Sequence, residues 1–290
     1  MALKSIICLL NGFEHETAAA DAALQLAKDN GADIRLLHIT YPVQSYSGFF
    51  GEAAMVGGGW QEIVDQQSQH RLSKARNIAE GLIAKHGLGS PVDTPAGTAR
   101  AAFVPLENKT TADVVRQLSL CDLIVFGAEA GSSDLSDASI AGTALFSTGR
   151  PLLMVRPKKG DAPSWTGKTC ALAWNDSPEA IRAVTGARDL IRTASKVHVL
   201  VTHERSRADD APENTVVLDY LGSHGVTAEF HAVMRGSGAA AAAVLQQAKV
   251  LGCDYLVMGA YGHTVFREML LGGFTAYMLE EAEMPLVLAH

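Results

Sequence analysis

The chain contains two copies of one sequence pattern, and this repeat constrains its fold more than any other feature. Residues 121–127 read CDLIVFG, and residues 253–259 read CDYLVMG. Each segment precedes a glycine-containing loop and then an apolar run that begins with proline, PLLMV at 151–155 and PLVLA at 285–289. Self-similarity at this spacing predicts two units of the same fold within 290 residues.

The order of elements within each copy predicts the fold class. Each copy begins with an apolar strand that ends in asparagine, Asn11 in the first and Asn175 in the second. In the second copy, Ser177 and Pro178 are typical of a helix start. Further strands at 196–202, 229–233, 254–259 and 285–289 then alternate with apolar positions at helical spacing. Such alternation predicts an α/β fold with two tandem, open, parallel five-stranded sheets flanked by helices.

The same pattern predicts a first domain at residues 1–157 and a second at 168–290. Residues 156–168 are rich in proline, glycine and lysine, which is typical of an exposed linker. The first copy has an additional segment at 43–60, before a helix predicted from about Ile63 to Lys85. We interpret that segment as a surface loop, with a lid or an inter-domain contact as the alternative.

Composition excludes several classes of partner. A formal net charge of -7 disfavours a nucleic-acid or anionic-membrane surface. No stretch approaches the roughly 18 apolar residues that span a bilayer, and Glu14 and Glu16 interrupt the amino-terminal apolar run where a signal peptide is uncharged. We therefore expect a cytoplasmic protein that binds neither nucleic acid nor membrane.

No structural metal is expected from the sequence. Four single cysteines lack the spacing of metal ligands, which predicts that they are reduced and buried. Glu14, His15 and Glu16 form an acidic cluster, but consecutive residues on regular structure cannot all face one ion. The four cysteines are Cys8, Cys121, Cys170 and Cys253.

The most informative local motif is the run GAYGHTVFREMLLGGFT at residues 259–275. It begins where a buried strand ends and finishes where a helix begins, which is where open parallel sheets bind ligands. Glycines there allow backbone N–H groups to converge on a phosphate, beside the positive end of the helix dipole. The run therefore predicts a phosphate cradle, and tight turns between strand and helix are the alternative reason for its glycines.

Other nucleotide motifs do not account for this run. The pattern GxxxxGK[ST] is absent, and residues 260–290 contain no lysine and only one arginine, Arg267. Phosphoryl transfer of the P-loop type is therefore disfavoured. GSGAAA, which begins at Gly236, lacks the acidic partner after the following strand that a dinucleotide site requires. We predict no catalytic residues.

The glycine spacing of this run resembles that of the universal stress protein family in a tandem form: two residues separate Gly259 from Gly262, and nine separate Gly262 from Gly272. The strand ending near Asn175 and the final PLVLA are also similar to that family. The resemblance covers nearly the whole chain and implies the Rossmann-like, adenine-nucleotide alpha-hydrolase-like fold. It further implies that ATP or AMP is bound, with or without Mg²⁺. Asn175 stands where the family has an aspartate that contacts adenine, and Gly273 stands where the family has serine or threonine.

The resemblance assigns residues to each part of the nucleotide. Adenine is expected against the ends of the first two strands, and the phosphates are expected along the glycine run. The alternative to a binding role is a turn position for Asn175 and an exposed loop position for His263. His203 and Glu204 follow the second strand of this copy, where they either line the nucleotide pocket or face solvent. The predicted binding residues are Ala173, Asn175, Val201, Thr202, Met258, Gly259, Gly262, His263, Gly272, Gly273, Phe274 and Thr275.

The first copy departs from the motif, because Gly131 is one residue late and Ala138 takes the place of Gly272. We therefore expect nucleotide in the second copy only. In the family, final strands pair to form dimers, which implies an intramolecular pseudo-dimer here, or additionally a homodimer, and a protein partner that the sequence does not identify. The expected function is a nucleotide-binding stress or sensor protein. A nucleotide-free scaffold and a slow ATPase assisted by His263 or Arg267 are the alternatives.

Overall fold

A computed structural model describes most of the chain, with residues 43–59 of the additional segment outside the described part. The described residues are 3–40, 60–129, 139–157, 165–203, 215–234, 239–261 and 273–290. The strands are β1 (Ser5–Leu9), β2 (Asp33–Ile39), β3 (Arg100–Leu106), β4 (Leu123–Gly127), β5 (Leu152–Val155), β6 (Thr169–Ala173), β7 (Lys196–His203), β8 (Ala228–Met234), β9 (Tyr255–Gly259) and β10 (Leu286–Ala289). The helices are α1 (Glu16–Asn30), α2 (Trp60–His86), α3 (Thr111–Ser119), α4 (Ile140–Ser147), α5 (Pro178–Gly186), α6 (Arg188–Thr193), α7 (Thr215–Ser223), α8 (Ala240–Val250) and α9 (Gly273–Glu281).

All the described strands form one sheet, in the order β3-β2-β1-β4-β5-β10-β9-β6-β7-β8. Each half therefore repeats the same order, with its first strand in the centre. Neighbouring strands are parallel except β5 and β10, which pair antiparallel with Leu153 opposite Val287. The predicted pairing of the two proline-led runs is thus confirmed, and it joins two five-stranded sheets edge to edge.

The central strands read as nearly continuous apolar runs because helices cover both faces of the sheet. Along β1, Ile6 and Cys8 belong to one buried cluster, whereas Ile7 and Leu9 belong to a second cluster on the opposite face. Both clusters include residues of both halves. The two halves therefore share a continuous apolar core on each side of the sheet.

The start of α5 follows the prediction, whereas its continuation does not. Ser177 Oγ accepts a hydrogen bond from Ala180 N at 3.2 Å, and Pro178 is the first helical residue. The apolar positions Ile181, Val184, Ala187 and Ile191 predict one continuous helix, but α5 ends at Gly186 and α6 begins at Arg188. Ile181 is 48% exposed.

The prediction of an exposed linker at 156–168 is wrong at two of its positions. Arg156 is buried, and its guanidinium donates hydrogen bonds to Leu279 O and Ala282 O at the end of α9. Trp165 is also buried, with its ring centroid 4.8 Å from that of Tyr255. Cationic side chains suit the partly negative carboxyl end of a helix. The domain boundaries at 157 and 168 stay predictions, because residues 158–164 lie outside the described part.

All four cysteines are buried and free, as predicted. Burial raises the pKa of the Cys121 thiol to about 12, so the thiol stays protonated and unreactive near neutral pH. None of the helices in the described ranges combines the length and the apolar character needed to cross a lipid bilayer.

Candidate functional site

The strand order creates a topological switch point in the second half, between β6 and β9. From this boundary the chain connections run outward in opposite directions, to β7 and β8 on one side and to β10 on the other. Ala173, the last residue of β6, is in register with Leu200 of β7 and Met258 of β9. Ligands of open α/β sheets bind outside the carboxyl ends of strands at such a point.

Asn175 lies two residues beyond β6 with an exposed side chain. Its Oδ1 accepts a hydrogen bond from Ser177 N at 3.3 Å, and Asp176 adopts a left-handed φ of 55°. Asp176 in turn accepts a hydrogen bond from Trp174 Nε1 at 3.0 Å. Asn175 thus has the turn geometry of the alternative interpretation, while its amide N–H₂ group stays at the exposed edge.

Gly259 ends β9 directly against the start of α5. A Cβ atom on Gly259 would lie 2.6 Å from Ala180 N and 2.7 Å from Glu179 Cβ, so close packing of the helix explains this glycine without a ligand. Glu179 itself is 8% exposed, and its Oε2 has no hydrogen-bond partner among the described residues. A buried carboxylate oxygen without a donor is unusual. No sequence pattern distinguishes Glu179, because a glutamate in the first turn of a helix is common.

Gly273 contrasts with Gly259, because it begins α9 in open surroundings. A Cβ atom at this position would meet no described atom within 4 Å. Two residues later, the buried Thr275 accepts a hydrogen bond through Oγ1 from Tyr261 N at 3.2 Å, and Tyr261 has a φ of 58°. This bond fixes the start of α9 against the end of β9. The first amides of α9 are thereby held at the carboxyl edge of the sheet.

The other predicted residues divide between the core and the part of the chain that is not described. The side chains of Val201 and Met258 are buried in the two apolar clusters. Thr202 is half-buried, and Phe274 packs partly against the apolar cluster that contains Met258. Any contact of Val201 or Met258 with a ligand would therefore be through the backbone. The predicted residues outside the described ranges are Gly262, His263, Gly272 and Glu204, together with the His203 side chain.

Comparison with known proteins places this half of the molecule in a family. Residues 168–290 match the model of the universal stress protein family. The second half of the chain belongs to the universal stress protein family. No curated protein sequence matches the chain.

Two solved structures, of a universal stress protein and of a putative one, share the fold of the whole chain. One from Archaeoglobus fulgidus DSM 4304 is 14% identical, with a TM-score of 0.68 and coverage of 98% of this chain and 97% of that chain. A putative universal stress protein from Pseudomonas aeruginosa UCBPP-PA14 is 16% identical, with a TM-score of 0.55 and coverage of 99% and 93%. A universal stress protein in complex with cAMP is 19% identical, with a TM-score of 0.32 and coverage of 42% and 97%. The first two likenesses show a tandem arrangement of the same Rossmann-like fold.

The first half contributes an aromatic side chain beside the edge of the universal stress protein half. Phe146 of α4 lies with its ring centroid 5.2 Å from that of Tyr261 and 5.0 Å from that of His290. His290 Nδ1 is 3.1 Å from Ala260 O. Phe146 therefore packs against Tyr261, near the start of the glycine run, from across the β5–β10 junction. No local pattern in the sequence predicts this contact.

The corresponding edge of the first half is closed by its own side chains. Asn11 Oδ1 accepts a hydrogen bond from Ile39 N at 3.2 Å, and thereby links the end of β1 to the end of β2. Glu16 is 5% exposed, and its Oε2 accepts hydrogen bonds from Asn11 N at 2.7 Å and Phe13 N at 2.9 Å. Burial raises the pKa of Glu16 to about 7, although these donors and Arg71 oppose the increase. Asn11 Oδ1 and Glu16 Oε2 thus have donors within the protein, whereas the buried His38 Nε2 of β2 has no partner among the described residues.

A cavity of about 320 Å³ lies where the two halves meet, between α5 and the start of β5. Its walls include the side chains of Arg150 and Arg182, but none of the predicted nucleotide-binding residues. The described residues of the predicted nucleotide site are therefore not part of this cavity.

Proposed function

We propose that the second half binds one adenine nucleotide, ATP or AMP, and that binding rather than catalysis is its function. The observation that carries this proposal is the start of α9. Gly273, the first residue of α9, has no described atom within 4 Å of its Cβ position, and the Thr275–Tyr261 hydrogen bond holds that helix start against the end of β9. Helix amino termini bind phosphate through these unpaired N–H groups and the helix dipole.

The described residues suggest how the nucleotide lies. Adenine would contact Ala173 and the exposed amide of Asn175, with the backbone of 201–202 beside it. Glu179 packs beside Gly259 through its backbone and Cβ atom, so a negative charge on its carboxylate would disfavour phosphate at that end of the run. The phosphates would therefore lie further along the run, at the amides of residues 273–275, with Gly262, His263 and Gly272 as the remaining contacts implied by the family motif.

Rapid hydrolysis is not part of this proposal. The run from Gly259 to the carboxyl terminus contains no lysine to neutralise charge on a transferred phosphoryl group. We expect turnover well below about 1 per second, which is slow for an enzyme. A change of conformation or of partner surface on binding is the corresponding role in a sensor.

A nucleotide-free scaffold is the competing function, and two observations favour it. Helix packing already explains Gly259, and a local turn already uses the Asn175 Oδ1 atom. In this alternative the tandem sheet presents a protein-binding surface, and its stability does not depend on ATP or AMP.

Isothermal titration of the full chain with ATP and with AMP, each with and without Mg²⁺, distinguishes the two functions. Binding predicts a stoichiometry near one. Gly273→Val should weaken affinity about a hundredfold, because it removes or displaces two amide contacts worth roughly 1.5 to 3 kcal/mol each. The matched control is Gly222→Val, since Gly222 also lies in a helix with open space around its Cβ position.

The control variant should bind like the wild-type chain, and both variants should unfold at similar urea concentrations. A stoichiometry of two, or equal affinity in the Gly273→Val and wild-type chains, would contradict the proposed site. Absence of binding to the wild-type chain, together with no adenine nucleotide released when the purified protein is denatured for mass spectrometry, would establish the scaffold alternative.

A further inference from the structure

Three potential metal ligands meet on one face of the sheet, near its outer edge in the second half. His198 lies on β7, and Glu229 and His231 lie on β8. In the parallel register His198 is opposite Glu229, and Leu200 is opposite His231. Because residues two apart on a strand face the same side, this register brings the three side chains together.

The distances between the ligand atoms match those around a single small cation. His198 Nδ1 lies 3.0 Å from His231 Nε2, and Glu229 Oε2 lies 3.3 Å from the first atom and 3.7 Å from the second. In a tetrahedral zinc site with bonds of about 2.0 to 2.1 Å, neighbouring ligand atoms are about 3.3 to 3.4 Å apart. Of the three separations in this cluster, 3.3 Å agrees with that value, 3.0 Å is shorter and 3.7 Å is longer.

The direct contact between the two imidazole rings also favours a cation. A neutral pair of imidazoles has one N–H for the 3.0 Å contact between Nδ1 and Nε2, so one ring nitrogen presents a lone pair there. A metal ion in place of the shared proton would engage both nitrogens and the carboxylate.

We propose that His198 Nδ1, His231 Nε2 and Glu229 Oε2 form a Zn²⁺ site, with water as the fourth ligand. Two imidazoles and one carboxylate suit zinc, whereas Mg²⁺ and Ca²⁺ select oxygen ligands. The Glu229 side chain is 70% exposed, so the ion reaches the site from solvent. No structural metal was expected from the sequence, because the two histidines are far apart along the chain and match no ligand motif.

The site has a structural consequence for the edge of the sheet. β8 is the last strand in the described sheet and pairs only with β7. An edge strand held on one side is the part of a sheet most prone to open or to pair with another chain. Zinc bound to both strands would fasten β8 to β7 through side chains in addition to the backbone hydrogen bonds.

The zinc site is separate from the proposed nucleotide site. His198 is the third residue of β7, and Thr202 lies four residues further toward the carboxyl edge, about 13 Å away along an extended strand. Zinc binding and nucleotide binding can therefore be tested independently on the same full-length chain.

The test is calorimetric titration of Zn²⁺ into full-length protein that has been treated with EDTA and dialysed. We expect one zinc per chain, a weakening of about a hundredfold or more in His231→Ala, and a weakening of about tenfold in Glu229→Gln. His224→Ala and Glu280→Gln are the matched controls, because they remove a histidine and a glutamate of the same half that lie outside the cluster. Both controls should retain wild-type affinity.

Two further measurements make the result independent of any folding defect in one variant. Co²⁺ should give the intense visible absorption of a four-coordinate site in the wild-type chain, and His231→Ala should lose it. Zinc should also raise the unfolding temperature of the wild-type chain more than that of Glu229→Gln, a variant whose substituted side chain is exposed and whose fold is therefore least disturbed. Equal zinc affinity in the wild-type chain and both cluster variants, or a six-coordinate Co²⁺ spectrum, would overturn the proposal, whatever the result with ATP.

Discussion

The two halves share a strand order but treat the carboxyl edge of the sheet differently. In the first half, Asn11 bonds across the edge to the backbone of β2, and Glu16 accepts two backbone hydrogen bonds beneath it. In the second half, Asn175 forms only a local turn, and Glu179 Oε2 has no partner among the described residues. The same topology therefore gives the corresponding asparagine and glutamate side chains of the two halves different hydrogen-bond partners.

Helix length contributes to the same difference. α2 of the first half has 27 residues, and it brings Arg71 over the ring of Phe13 at 4.7 Å, directly beside the end of β1. The backbone of Arg71 also lies so near Gly12 that a Cβ atom there would be 2.5 Å from its carbonyl oxygen. The corresponding helix of the second half, α7, has nine residues. The longer helix thus reaches the carboxyl edge of the sheet in its own half.

The largest expected effect concerns Glu16 and pH. Its folded pKa of about 7 exceeds the ordinary value of 4.5, so the folded chain binds more protons than the unfolded chain between these pH values. The free energy of unfolding should therefore fall by about 3 kcal/mol as pH rises through this window. Glu16→Gln, which does not titrate, should lose most of that decline in urea unfolding at pH 5 and pH 8.

The exposed Glu14 provides the control for this experiment. Glu14→Gln should retain the full decline, because it leaves the buried carboxyl in place. An unchanged pH dependence in Glu16→Gln would show that the closed edge does not hold a buried titrating group.

The next effect tests the packing that the halves have in common. Gly127→Ala and Gly259→Ala should each destabilise the fold by about 2 kcal/mol, because either new Cβ atom would lie 2.6 Å from the backbone at the start of the helix that follows the neighbouring strand, α1 for Gly127 and α5 for Gly259. Gly222→Ala, in open space within α7, should be neutral or slightly stabilising. Urea unfolding measures all three. If only one of the two strand-end glycines is sensitive, the halves do not share this close approach.

The smallest effect separates the two asparagines. Asn11→Ala should lower the free energy of unfolding by about 1.5 kcal/mol, because Ile39 N loses its acceptor, and should leave nucleotide affinity unchanged. Asn175→Ala should change stability by less than about 0.5 kcal/mol, since the side chain is exposed, and should weaken nucleotide binding about tenfold. Urea unfolding and calorimetry on both variants measure these responses. If Asn11→Ala weakened nucleotide binding and Asn175→Ala lowered stability, the proposed difference between the two halves would be wrong.

The fold was predictable because its signals are local and repeated. Paired apolar runs and the Ser177–Pro178 helix start specify strands and helices from neighbouring residues alone, although no helix was predicted where α7 lies. The binding residues were identified by glycine spacing, and their assignment to the nucleotide stays a prediction. What sequence reasoning missed depends on contacts between distant residues. Phe146 reaches Tyr261 only across the joined sheets, and His198 meets His231 only through strand register.

The antiparallel junction sets Leu153 opposite Val287, its counterpart in the repeat. In a symmetric dimer of identical chains, each substitution appears on both sides of the axis, so neither copy can change its surface without the other. Here the two copies are encoded separately and yet are permanently joined. Mutation can therefore change the carboxyl edge of one copy without changing the other, and the altered copy is still retained because it supplies half of the shared core.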